Sequence, residues 1–168
     1  MRMTHHRSSR HFVEVTGDPL QCLSATAEAK SSASLPPSVS VIGIDGTSAH
    51  TRAGLAALLR RHKCNMSTVP GSVSHVIVVI DHPHCTDAWT TSKVHRWAMS
   101  IHRRIQRARG IDTDVTALLV NRDVDPHLIC ERIEELAGRP PGVNPAAVHT
   151  MHDIRAHTIA QASANDFI

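Results

Sequence analysis

The chain of 168 residues has no tyrosine and only two phenylalanines and two tryptophans. A core with so few rings must be built from Val, Ile, Leu and Ala. The shortage also argues against single-strand nucleic-acid binding, which relies on aromatic stacking platforms. Cysteine is sparse too: Cys22, Cys64, Cys85 and Cys130 are far apart, and no C-x-x-C pair occurs. That fits scattered, reduced thiols better than a disulfide-stapled scaffold. No apolar run approaches membrane-spanning length; "VSHVIVVI" at 73–80 is far too short. Residues 1–30 lack the apolar run of a secretory signal. These absences predict a cytoplasmic protein with no membrane partner. The basic, serine-containing start "MRMTHHRSSRHF" leaves organelle targeting open, although Glu14, Asp18 and Glu28 weaken that reading. Neither an H-E-x-x-H pair nor a serine-nucleophile motif is present.

What is present points to an α/β protein. Residues 1–38 read as a flexible N-terminal segment and linker, with "HFVEVTG" at 11–17 a candidate edge strand and "SSASLPPS" at 31–38 a loop. The organised part then runs over 39–168 as a single α/β domain. "VSVIGI" at 39–44, "SHVIVVI" at 74–80 and "VTALLV" at 115–120 are apolar on both faces, as buried parallel strands are. "CNMSTV" at 64–69 and "AAVHTM" at 146–151 are shorter strand candidates. Helices are predicted over 49–62, 88–110, 125–138 and 153–164; the third carries Asp125 as cap, Pro126 at its first position and Gly138 at its end. Trp89 and Trp97 are expected to anchor the second helix, whose tail carries Arg103, Arg104, Arg107 and Arg109 as a basic patch. Alternating strands and helices predict a three-layer sandwich around a mostly parallel sheet of four or five strands.

Formal net charge is +3, with fourteen histidines that make the real charge depend on pH. A polyanionic partner is permitted but not required, and nucleic acid stays open as a partner. The balance falls short of a dedicated nucleic-acid binder.

A parallel sheet places its working loops beyond the carboxyl ends of its strands. The loop after residue 44 can be set against the phosphate-loop pattern G-x-x-x-x-G-K-[ST]. Gly46 opens it, Thr47 and Ser48 fall among its variable positions, and Thr51, Arg52 and Ala53 take the glycine, lysine and hydroxyl places. "GIDG" at 43–46, Ser48 and "LAALL" at 55–59 stand in the register of P-loop nucleoside and nucleotide kinases, and the stretch resembles the uridine-kinase-like group. The resemblance implies a nucleotide such as ATP or GTP and a phosphate-bearing small-molecule partner. It also implies a base or substrate-binding role for Asp81. "DVDPHLICERI" at 123–133 is similar to a late stretch of those kinases and puts Arg132 in an arginine position. The departures decide the reading. Thr51 cannot enter glycine-only backbone regions cheaply, and Ala53 has no oxygen for Mg²⁺. Arg52 keeps the charge on a wider, planar head. The expectation is a degenerate phosphate loop that binds a nucleotide or anion weakly through Gly46, Thr47, Ser48, Thr51 and Arg52, in a regulatory or interaction role. The alternative is a phosphotransferase in which Arg52 stabilises the phosphoryl group and Asp81 handles the acceptor, with the arginines at 103–109 as a lid.

The domain size and Asp45 and Asp81 also resemble response-regulator receivers. That resemblance implies an atypical receiver-like signalling domain, acting through a protein partner without phosphorylation. Asn121 stands for the switch Thr/Ser there, and the lysine after the last strand is missing. Finally, "DHPHC" groups Asp81, His82, His84 and Cys85, and "VHTMHD" adds His149, His152 and Asp153. All are acceptable zinc ligands, and one shared site at the sheet edge is the arrangement to look for.

Overall fold

The computed structural model describes residues 12–28, 36–66, 69–110, 112–156 and 158. Five strands form one sheet: β1 (Val13–Gly17), β2 (Val39–Asp45), β3 (His75–Asp81), β4 (Asp114–Val120) and β5 (Ala146–His149). Every neighbouring pair is parallel, and the order across the sheet is the order along the chain. The helices are α1 (Ser24–Glu28), α2 (Arg52–Asn65), α3 (Ala88–Arg109), α4 (Pro126–Ala137) and α5 (Met151–Ala156), with a 3₁₀ turn at Gln21–Leu23 before α1. The sheet is therefore wholly parallel, with five strands. It begins at Val13, upstream of residue 39, where the sequence places the start of the organised part.

The composition of the strands explains their position. β2, β3 and β4 are buried at every residue except the terminal Asp45 and Asp81. Their branched side chains meet helices on both faces. On one side α2 packs on α3; on the other α4 packs on α1 and the 3₁₀ turn. Trp97 is buried, and its indole N–H donates to the Leu59 carbonyl at 2.7 Å, tying α3 to α2.

One expected strand is absent. Residues 64 and 65 continue α2, and Met66 caps it; 67 and 68 lie outside the described residues. The reason is a buried stripe, Leu55, Leu59, His62 and Met66, which keeps helical spacing past the predicted end at residue 62. α2 also starts at Arg52 rather than 49, because the Thr51 hydroxyl accepts from the Gly54 N–H at 3.0 Å and caps the helix. At the other end β5 stops at His149, and Met151–Ala156 is helical; the rest of the predicted last helix, apart from residue 158, lies outside the described residues. α3 and α4 match their boundary signals, with Gly110 left-handed at φ 66° and Asp125 capping α4.

Candidate functional site

Two places at the carboxyl edge of the sheet bring chemistry together. The first is a cleft of about 260 Å³ between the N-termini of α2 and α3. His50, Thr51 and Arg52 line one wall, and His84, Asp87 and Trp89 line the other. The Arg52 guanidinium lies 5.0 Å from the Trp89 ring centroid, a cation–π contact that lays the positive charge across the opening. Both helices present unpaired amides and a positive dipole end here. Each is already capped: Thr51 serves α2, and Asp87 Oδ2 accepts from the Thr90 N–H at 3.1 Å at the start of α3.

The loop leading into α2 is not wound as a phosphate cradle. No residue from 45 to 54 has a positive φ, so the alternating nest that points successive amides at one anion is not formed. Several amides are committed within the protein. The Gly46 N–H donates to the Asp81 carbonyl at 2.8 Å, and that of Ala49 to the Gly46 carbonyl at 2.9 Å. The Asp45 carboxylate accepts from the Thr47 N–H at 3.0 Å and from its hydroxyl at 2.6 Å. Gly46 is required for space: a Cβ there would sit 2.8 Å from the Asp81 carbonyl oxygen and 3.2 Å from the His82 ring. Ser48 is exposed, and Ala53 brings no oxygen to the start of α2.

The second place is acidic. Asp45 and Asp81 are register partners at the ends of β2 and β3. Thr47 hydrogen bonding holds the Asp45 carboxyl below its usual range, whereas burial pushes Asp81 up, with Arg122 opposing and Asp45 reinforcing the rise. Asp18 joins them, its Oδ2 accepting from the Asp45 N–H at 2.9 Å. Asp81 does not line the cleft that holds Arg52, so the two residues of the phosphotransferase reading are not brought together there. Arg132 is engaged elsewhere, donating to the Ile154 carbonyl at 3.2 Å and pairing with Glu135 at 3.1 Å. Nor can the distal arginines close the cleft from their place in α3. Arg103 lies fifteen residues beyond Ala88, about 22 Å along a helix axis.

The candidate zinc ligands are dispersed. His82 is buried, and both ring nitrogens are used: Nδ1 accepts from the His84 N–H at 3.1 Å, and Nε2 lies 3.0 Å from the Ala49 carbonyl. A carbonyl can only accept, so Nε2 carries the proton and the ring is neutral. Burial, the largest influence, lowers its pKa. His84 is exposed, while Cys85 is buried with its thiol pKa raised by that burial. His149 opens onto a different pocket, with Asp114 and Arg139, and His152 is exposed on α5. Asp153 caps α5 by accepting from the Thr150 N–H at 2.8 Å. Among the described residues, no three His, Cys, Asp or Glu side chains form a metal-holding group.

Sequence reasoning missed Asp18, which it placed in the N-terminal segment, and the cleft residues His50 and Asp87. Asp87 had a local signal, since Asp three residues before Thr90 is a helix-capping arrangement. Asp18 had none, because its role depends on β1 lying beside β2. The chain matches no protein-family model, no curated protein and no solved structure.

Proposed function

We propose that the chain is a regulatory or interaction domain that binds a small anionic group weakly in the cleft between the N-termini of α2 and α3. The observation that carries this reading is Arg52, stacked on Trp89 at 5.0 Å where two helix N-termini converge. Guanidinium and dipole ends favour a phosphate or carboxylate. The size of the cleft suits the phosphate end of a nucleotide such as ATP or GTP better than a buried base, since ligand pockets usually exceed about 300 Å³. The committed loop amides and the caps at Thr51 and Asp87 argue for weak affinity. With Ala53 at the start of α2, binding should not depend on Mg²⁺.

Calorimetric titration with ATP, GTP and inorganic phosphate, with and without Mg²⁺, tests this. Binding weaker than micromolar is expected, unchanged by Mg²⁺ and weakened about tenfold or more in Arg52→Ala, the loss of one charge-assisted contact. Tight, Mg²⁺-dependent binding, or an unaffected Arg52→Ala, contradicts the proposal. A second reading, a receiver-like signalling domain, draws on the side-by-side placement of Asp45 and Asp81. Asp81→Asn separates the two: it should leave binding in the cleft unchanged, and a Mg²⁺ response abolished by it would favour the acidic site.

A further inference from the structure

We infer that the outer face of the α2/α3 layer is a docking surface for the phosphate backbone of double-stranded nucleic acid. The net charge of +3 hides a strong asymmetry. α2 carries four Lys and Arg residues and α3 carries six, and neither helix contains Asp or Glu. Ten of the chain's eighteen basic residues thus sit on two helices that pack together. The opposing helices α1 and α4 carry Glu28, Glu131, Glu134 and Glu135 against Arg132 alone.

The basic groups are also aligned. Lys93, Arg96, Arg103, Arg104 and Arg107 fall within roughly a 100° arc of α3, at the helical step of about 100° per residue. The stripe is about 21 Å long at 1.5 Å per residue. Towards its end a trough of about 570 Å³ opens against α2, lined by Lys63, Ser100, Arg103, Arg104 and Arg107. Arg103, Arg104 and Arg107 are exposed. None of the trough's basic side chains has an acidic partner among the described residues, whose ion pairs are His62–Asp18, Arg132–Glu135 and Arg139–Glu135.

The chemistry of the surface selects the partner. Five or more guanidinium and ammonium groups in a row match a chain of phosphates, which duplex DNA presents at one charge per about 1.7 Å of axis. A membrane-surface helix would need large apolar side chains beside the charge. A protein interface would need buried aromatic or aliphatic anchors. Among the described residues the exposed large hydrophobic is Val143, in the loop between α4 and β5. Single strands are disfavoured because the trough offers no ring for base stacking. The stripe's arginines and lysines engage the phosphate backbone, which fixes register without reading bases, so the contact is sequence-independent.

The test is fluorescence anisotropy of the full chain with short mixed-sequence duplexes, one DNA and one RNA, titrated between about 50 and 200 mM salt. Binding of either duplex, with a log–log salt slope of about −4.5 for about five neutralised phosphates, supports the proposal, and the preferred duplex names its form. Arg103→Glu/Arg107→Glu should weaken binding at least about tenfold and flatten the slope by about 2. Arg103→Gln/Arg107→Gln should show a smaller loss in the same direction. Arg155→Glu, a reversal on exposed α5, should stay within about twofold. The proposal is overturned by any of four results: no salt-dependent binding, single strands outcompeting both duplexes, wild-type binding by the Arg103/Arg107 variants, or capture by phosphatidylserine vesicles in place of duplexes.

Discussion

His82 works as a neutral staple between the end of β3 and the loop that opens α2. A proton on Nδ1 would face the His84 N–H that this nitrogen now accepts, and it would put charge into a buried site. Its folded pKa therefore lies below the ordinary 6.5, and burial depresses that of His62 as well, outweighing the pull of Asp18 at 3.5 Å. As pH falls, the unfolded chain takes up these protons first. Stability from both groups is present above about pH 6.5 and is lost as the pH drops towards their folded values. Asp81 has the opposite sign, because its folded pKa is raised: its contribution is full below the unfolded value of 3.8 and is lost as pH rises through the folded one. Urea unfolding at pH 7.5 and 5.5 should show a loss of stability in the wild type and a smaller one in His82→Asn, whose amide oxygen can still accept from His84 without titrating. An equal loss in both would assign the effect to other groups. Gly46 teaches a related lesson about legibility. In the sequence it reads as the first glycine of a phosphate loop, but its need is set by the Asp81 carbonyl, a neighbour 35 positions away that no local motif reveals.

Elements were legible where a boundary carries its own chemistry. Asp125, Pro126 and Gly138 frame α4, and the long apolar runs of β2, β3 and β4 are strands at nearly their predicted limits. Legibility failed at α2, where the phosphate-loop pattern sets Thr51 in a glycine place although its hydroxyl makes it a helix cap. The far end failed for a second reason: Met66 is one more buried position of the helical stripe, and nothing in "CNMSTV" alone distinguishes that from a strand. The cap can be tested. Thr51→Ala should cost about 1 kcal/mol and Thr51→Gly only a few tenths, since glycine tolerates the cap position. Asp87→Ala should cost about 1 kcal/mol through α3. Chemical denaturation of the three variants measures this; equal losses for Ala and Gly at 51 would show that the Thr51 hydroxyl does not hold α2.

Whole-molecule arrangement was the least legible scale. Alternating strands and helices announce a parallel sheet, yet many strand orders satisfy the same pattern, and the Ser/Pro-rich stretch at 31–38 sets the edge-strand candidate at 11–17 apart in the N-terminal segment, although β1 pairs with β2 over five residues. The charge asymmetry was hidden in the same way, since it arises only when α2 and α3 are placed side by side. Burial and pairing predict a gradient of protection. β3 is flanked by paired strands on both sides, while β1 and β5 are edges with half-buried or exposed residues. Native-state hydrogen exchange should therefore be slowest in β3 and fastest in β1 and β5, and uniform rates across the five would contradict this. The strand order has one further consequence. Each strand pairs only with the strands before and after it in the chain, so none must be inserted between two that are already joined. A chain emerging from the ribosome N-terminus first can add each strand to a waiting edge as it appears, in the order in which it is made.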